Sequence, residues 1–280
     1  MWKRILTAAV LAPLFLLALF YLPVAGVQVL IGLILTGVMW EAALLSGIQA
    51  RINQYLFILI LIIIGVALPI AAPVGAVPDL YLYIAGIACL WWLLDIFILA
   101  RFSLENPKLY GSKTGRILGI GAVLLSTWMA INALLVQDAR SPQMLVYVLV
   151  MVWVADSGAY FAGKFLGTHK LAVHVSPGKT IEGVVGGVLA VMIFAWIYGN
   201  LVFHIAGKDM LNWQLLSIVV ALVSVVGDLN ESALKRVMGK KDSGNVIPGH
   251  GGFFDRADAI TAAVPVFYFG WRIMGMGNVS

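Results

Sequence analysis

Charge and cysteine are both scarce in this chain, and each scarcity excludes a class of protein. Asp, Glu, Lys and Arg make up 11% of the 280 residues, where a soluble domain carries about 25%. So few charges cannot cover a globule of this size in water, and a soluble enzyme is excluded. Cys89 stands alone in an apolar run, which excludes a disulfide scaffold. No heptad persists and the 29 glycines follow no period of three, so coiled coil and collagen fail as well. What abounds is apolar side chain, 62% of the total, and a chain that apolar does not stay disordered.

A bilayer core about 30 Å thick takes roughly 20 apolar residues per helix. Runs of that kind predict nine spans, at 5–22, 24–45, 55–72, 80–100, 117–136, 143–163, 181–204, 212–230 and 258–275. The first is longer than the apolar part of a signal peptide and reads as a retained anchor. The expected fold is therefore an all-α polytopic membrane protein. Residues 1–116 hold about four spans, and residues 117–280 form a C-terminal region with longer loops at 164–180 and 231–257. With the N-terminus inside, fifteen of the 18 Lys and Arg residues fall on the cytoplasmic side, leaving Arg140, Lys208 and Arg272 outside. That asymmetry supports the orientation. It also makes the inner face the working face.

The chemistry-bearing residues cluster there. Asp228, Ser232 and Lys235 share one helical face as span 8 ends, and a carboxylate following the apolar run from Leu215 to Val226 calls for a cavity, a partner or an ion. Next come Gly249, His250, Gly251 and Gly252, whose backbone N–H groups can turn inward as an anion nest. Asp255 and Asp258 lie three apart at the expected start of span 9, suited either to a metal ion or to capping the helix. Hard cations such as Mg²⁺ take oxygen ligands of this type, whereas one Cys and four scattered His residues give no zinc spacing. In the other loop, Gly178-Lys179-Thr180 lacks the upstream glycine of a P-loop, since position 173 is Val173. Lys179 can still meet a phosphate, with Ser176 or Thr180 offering hydroxyls, or serve only as a positive-inside anchor. Asp156, Tyr160 and Lys164 form a polar stripe running out of span 6. Glu41 and Asp95 are placed near the interface, where they reach water. Carboxylates, basic residues and a glycine-rich loop on one membrane face point to phosphoryl or nucleotidyl chemistry, with a transporter of an anionic metabolite as the rival class.

Three stretches carry a family resemblance. Ser232-Ala-Leu-Lys235-Arg236, then Lys241-Asp242, then Pro248-Gly-His250-Gly-Gly-Phe-Phe-Asp255-Arg256-Ala-Asp258 resembles the C-terminal signature of the phosphatidate cytidylyltransferases, the CDP-diacylglycerol synthases, of bacterial type. Asp156-Ser-Gly-Ala-Tyr160-Phe-Ala-Gly163, Ser176-Pro-Gly-Lys179-Thr-Ile-Glu182-Gly and Gly227-Asp228-Leu229 are similar to family segments in the same order. Ile181 stands where an aromatic residue is expected. The resemblance implies that CTP and phosphatidate react to CDP-diacylglycerol and pyrophosphate with Mg²⁺. On that reading Asp228 and Asp255 hold the metal, and a second cation is compatible with the site. Lys235, Arg236, Lys240, Lys241 and Arg256 neutralise the phosphates. Lys179 and Ser176 contact phosphate from the other loop, and Asp156, Asp242 and His250 order the site, beside Ser232, Tyr160 and Asp258. A homodimer in the bacterial cytoplasmic membrane is implied, with no nucleic-acid partner. A CTP-dependent lipid kinase would need a similar site.

Overall fold

A computed structural model describes residues 13–73, 76–105, 107–136, 141–244 and 251–275. Among them, helices stand at each of the nine apolar runs: α1 (13–21), α2 (Val24–Leu45), α3 (Arg51–Ala71), α4 (Val77–Ala100), α5 (Lys113–Val136), α6 (Ser141–Leu166), α7 (Ile181–Leu201), α8 (Gly207–Val237) and α9 (Phe254–Ile273). Seven of these, α2 to α8, are long and apolar enough to cross a membrane. α9 is not among the seven; its sequence begins with Asp255, Arg256 and Asp258.

Two features depart from the expected pattern. The segment 164–180 is not wholly loop: β1 (Lys170–Ala172) and β2 (Ser176–Thr180) pair antiparallel, with Lys170 opposite Thr180. Thr180 then caps α7, its hydroxyl accepting from the Gly183 N–H at 3.1 Å, which is why strand passes directly into helix. α8 also runs past the apolar stretch to Val237. Its last turns are helix-forming and carry a Glu231–Lys235 pair in the favourable i, i+4 order. A glycine with φ +63°, Gly239, stops it.

Packing in lipid cannot rely on hydrophobic exclusion between helices, so close approach through small residues matters. α6 and α7 meet in this way: a Cβ on Gly187 would lie 2.8 Å from the Ala155 carbonyl oxygen, and one on Gly158 2.7 Å from the Ala190 Cβ. The centre of the bundle is aromatic and apolar, with Tyr147, Trp213 and Phe267 fully buried. Ile52, Leu59 and Ile63 on α3, and Leu189 and Ile193 on α7, remain exposed, as expected of faces turned to lipid.

The polar ends of the helices are tied together at one end of the bundle. Arg116 at the start of α5 donates to the Tyr110 carbonyl at 2.6 Å and the Ser46 carbonyl at 3.4 Å. Arg236 near the end of α8 donates to the Val175 carbonyl in the hairpin turn at 3.1 Å. The site lies at this end.

Candidate active site

Because α6 and α7 are held together by glycines, a cavity of about 490 Å³ opens where they face α8. Asp156, Tyr160 and Lys164 line it at successive helical steps, as their spacing predicts. Lys179 enters from the end of the hairpin and meets Asp228 of α8 at 2.7 Å. The pair is half-buried, 23% and 33% exposed, so both charges remain open to the cavity. Ala155, Val188, Ala221 and Val225 form an apolar wall beside them.

A second charged group adjoins the first on the same face of α8. Lys235 donates to Glu231 and to Asp255 Oδ1, the latter at 2.7 Å. Asp255 Oδ2 accepts the backbone N–H groups of Ser243 at 2.9 Å and Gly252 at 2.8 Å. Glu231 is 1% exposed, and its Oε1 has no hydrogen-bond partner among the described residues. Asp258 links the two groups, lying within electrostatic range of Asp228, Lys235 and Lys179. Ser232 donates to Asp228 Oδ1 at 3.3 Å.

The balance of charge bears on whether a metal fits. The carboxyl groups of Asp156, Asp228, Glu231, Asp255 and Asp258 stand within electrostatic range of Lys179, Lys235 and Arg256, with Lys164 also in the cavity wall, so carboxyl groups outnumber basic ones. Among the described residues no three Asp, Glu, His or Cys side chains form a preassembled metal cluster. The surplus carboxylate, the all-oxygen donors and the unpartnered Glu231 oxygen nonetheless suit a hard divalent cation completed by substrate phosphates. Asp228 is the more exposed donor, engaged by Ser232 and Lys179, while Asp255 already accepts three hydrogen bonds.

The predicted residues thus divide. Asp156, Tyr160, Lys179 and Asp228 share the cavity, and Ser232, Lys235, Asp255 and Asp258 adjoin it. Arg256 acts on Asp156 electrostatically. Ser176 begins β2 and is not among the cavity-lining residues. Arg236 commits its Nε to Val175, while Lys240, Lys241 and Asp242 follow α8 outside the cavity wall. His250, with Pro248 and Gly249, lies outside the described residues. The capping alternative for Asp255 does not hold as framed: Phe253 is the N-cap of α9 and no side chain caps it. Asp255 instead reaches back to Gly252 and Ser243.

The placement of Glu41 and Asp95 at a wet interface is corrected, since each is 1% exposed. Glu41 Oε2 accepts from Ser243 Oγ at 2.7 Å and from the Phe254 N–H at 2.9 Å. Asp95 accepts from Tyr110 and, at 2.8 Å, from Asn230 Nδ2, which also donates to the Tyr110 hydroxyl at 2.9 Å. Burial, reinforced by the Asp95 charge, pushes the Tyr110 phenol far up, so it stays a donor. Asn230 sits between Asp228 and Glu231, and the trio fixes that turn of α8. The signal that could have found these acids is the one applied to Asp228, a lone carboxylate in an apolar span.

Residues 2–274 match the Cytidylyltransferase family. The chain is 37% identical over 266 residues to the phosphatidate cytidylyltransferase of Pseudomonas aeruginosa, covering 95% of this chain and 94% of that protein. It is 30% identical over 281 residues to the protein of that name from Thermotoga maritima, covering 97% and 96%. A third, from Haemophilus influenzae, is 46% identical over 128 residues, 45% of this chain and 44% of that one.

Proposed function

The chain belongs to the cytidylyltransferase family, and from that membership we infer that it transfers the cytidylyl group of CTP to phosphatidate, giving CDP-diacylglycerol and pyrophosphate. It is a multi-pass membrane nucleotidyltransferase. The observation that carries the reading is the half-buried Lys179–Asp228 pair in a cavity with one polar and one apolar wall. A phosphate monoester on a glycerolipid has that same division. At about 490 Å³ the cavity suits headgroup-sized chemistry, with acyl chains left in the bilayer.

A phosphatidate oxygen attacks the α-phosphorus of CTP, and pyrophosphate leaves from the opposite side. The attacking phosphate is already ionised at neutral pH, so no residue need act as general base. What the protein must do is hold three mutually repelling phosphate groups in line. Lys179 and Lys235 are placed to exchange their carboxylate partners for phosphate oxygens. Arg256 stands beside Asp156, and the unshared donors of Arg236, with Lys240 and Lys241, line the approach to the leaving pyrophosphate. Tyr160, Ser232 and Asp258 shape the lipid and nucleotide contacts, Ser176 supports Lys179 from the hairpin, and Asp242 and His250 order the signature loop. Asp228 and Asp255 would hold Mg²⁺, and the neighbouring carboxyl groups would accommodate a second cation. A metal bound there supplies positive charge that draws the phosphates together and offsets the charge on the reacting oxygens.

The positive-inside asymmetry supports a site open to the cytoplasm and the inner leaflet of the bacterial inner membrane. A homodimer accords with the family resemblance and is read out by crosslinking in membranes. The deciding assay feeds phosphatidate with CTP labelled at the α-phosphate. Label in the lipid, dependent on Mg²⁺ and lost with chelator, is expected. Lipid labelled only from γ-labelled CTP would make the protein a kinase, and anion transport without CTP turnover would make it a carrier.

A further inference from the structure

Glu41 belongs to α2, far in sequence from every residue of the charged site, yet it touches the loop residue Ser243 and the start of α9, which carries Asp255. Its Oε2 accepts from both Ser243 Oγ and the Phe254 N–H. Ser243 closes the circuit: its hydroxyl accepts the Asp255 N–H at 3.2 Å, and its own N–H donates to Asp255 Oδ2. The fit leaves no room for larger residues. A Cβ on Gly252 would lie 2.1 Å from Glu41 Oε2, and one on Gly244 2.3 Å from Oε1. The described ends of the signature loop are therefore pressed onto one buried carboxylate, and the next hydrogen bond in the chain is Asp255 to Lys235.

We propose that Glu41 is a positioning residue for nucleotidyl transfer, a buried clamp through which the N-terminal helices set the place of Asp255, and through it Lys235, in the active site. The proposal rests on the function inferred above. The clamp works through acceptor geometry. Both donors converge on one oxygen, and neither is a cation, so a glutamine carbonyl can replace it while its amide nitrogen takes the place of Oε1, which has no partner among the described residues. Alanine removes both bonds and leaves a void against two glycines.

The test compares wild type, E41Q, E41A and S243A as full-length protein in lipid nanodiscs. Two readouts are taken: steady-state kinetics with CTP and phosphatidate, and backbone amide hydrogen exchange across residues 242–256. E41A is expected to lose about a hundredfold in kcat, the scale of a small misplacement of reacting groups, with KM for CTP little changed and faster exchange confined to that segment. E41Q should restore most of both. S243A, which removes only the bridging hydroxyl, should fall between them and keeps the test valid if E41A does not assemble. An E41A or S243A protein with wild-type exchange and kcat overturns the clamp, as does E41Q failing as deeply as E41A at equal folded yield. A wild type that puts no cytidylyl label into lipid overturns the inferred function instead, and the exchange readout still decides the clamp.

Discussion

The helices before residue 113 and those after it draw on the same apolar residues, but they hold their buried acids in different ways. In the N-terminal part, Glu41 and Asp95 are almost fully enclosed, and the bonds observed to them come from neutral donors: a serine hydroxyl and a backbone N–H for one, a phenol and an amide for the other. In the C-terminal part, Asp228 and Asp255 face lysines, and the Lys179–Asp228 pair is open to a cavity. A buried acid held only by neutral donors is a fixed joint, because it has no charged partner for a substrate to displace. A half-exposed ion pair is a loaded site, because a phosphate can take the lysine and a cation the carboxylate at little net cost in desolvation. The first kind of acid holds the fold in register. The second kind does chemistry.

That contrast can be broken by mutation. The largest effect is expected for Asp228→Asn and Asp255→Asn, each lowering turnover by about a hundred- to a thousandfold, the scale of losing one preorganised electrostatic group. Folded yield by size exclusion should be retained for Asp228→Asn, whose side chain is open to the cavity. Near-normal activity in either variant would remove that residue from the proposed metal site. Tyr110→Phe should show the opposite profile. It takes one donor from Asp95 and one acceptor from Asn230, a loss of about 1–3 kcal/mol for a buried group, seen as a lower melting temperature with turnover reduced less than tenfold. A collapse of activity at unchanged melting temperature would place the trio among the fixtures of the reaction and blur the distinction. Lys240→Ala should be the mildest, since Lys241 and Arg236 share its charge. A loss as deep as that of Asp255→Asn would make it a direct phosphate ligand.

Much of this was legible before the fold was known. The positions of the nine helices follow from apolar run length, and the Asp156, Tyr160 and Lys164 stripe follows from a period near four; all three line the cavity. The signature from Ser232 to Asp258 is local enough for its residue types to announce phosphate chemistry. The hairpin at 170–180 was not legible, because strands of three and five residues, the second holding Pro177, Gly178 and Lys179, carry little alternation. Nor were the partners of Glu41 and Asp95. Asp95 bonds to Asn230, and Glu41 to Ser243 and Phe254; no pattern within a window of one helix connects such pairs.

The sequence by itself determined the solvent, the positions of the helices and the family of reaction, since these depend on composition, periodicity and a contiguous signature. Only the tertiary structure decided which acids are joints and which are open to substrate. A carboxylate in an apolar helix has the same local sequence in either role. What separates Glu41 from Asp228 is whether the segment packed against it presents a serine hydroxyl and a backbone N–H or a lysine beside a cavity.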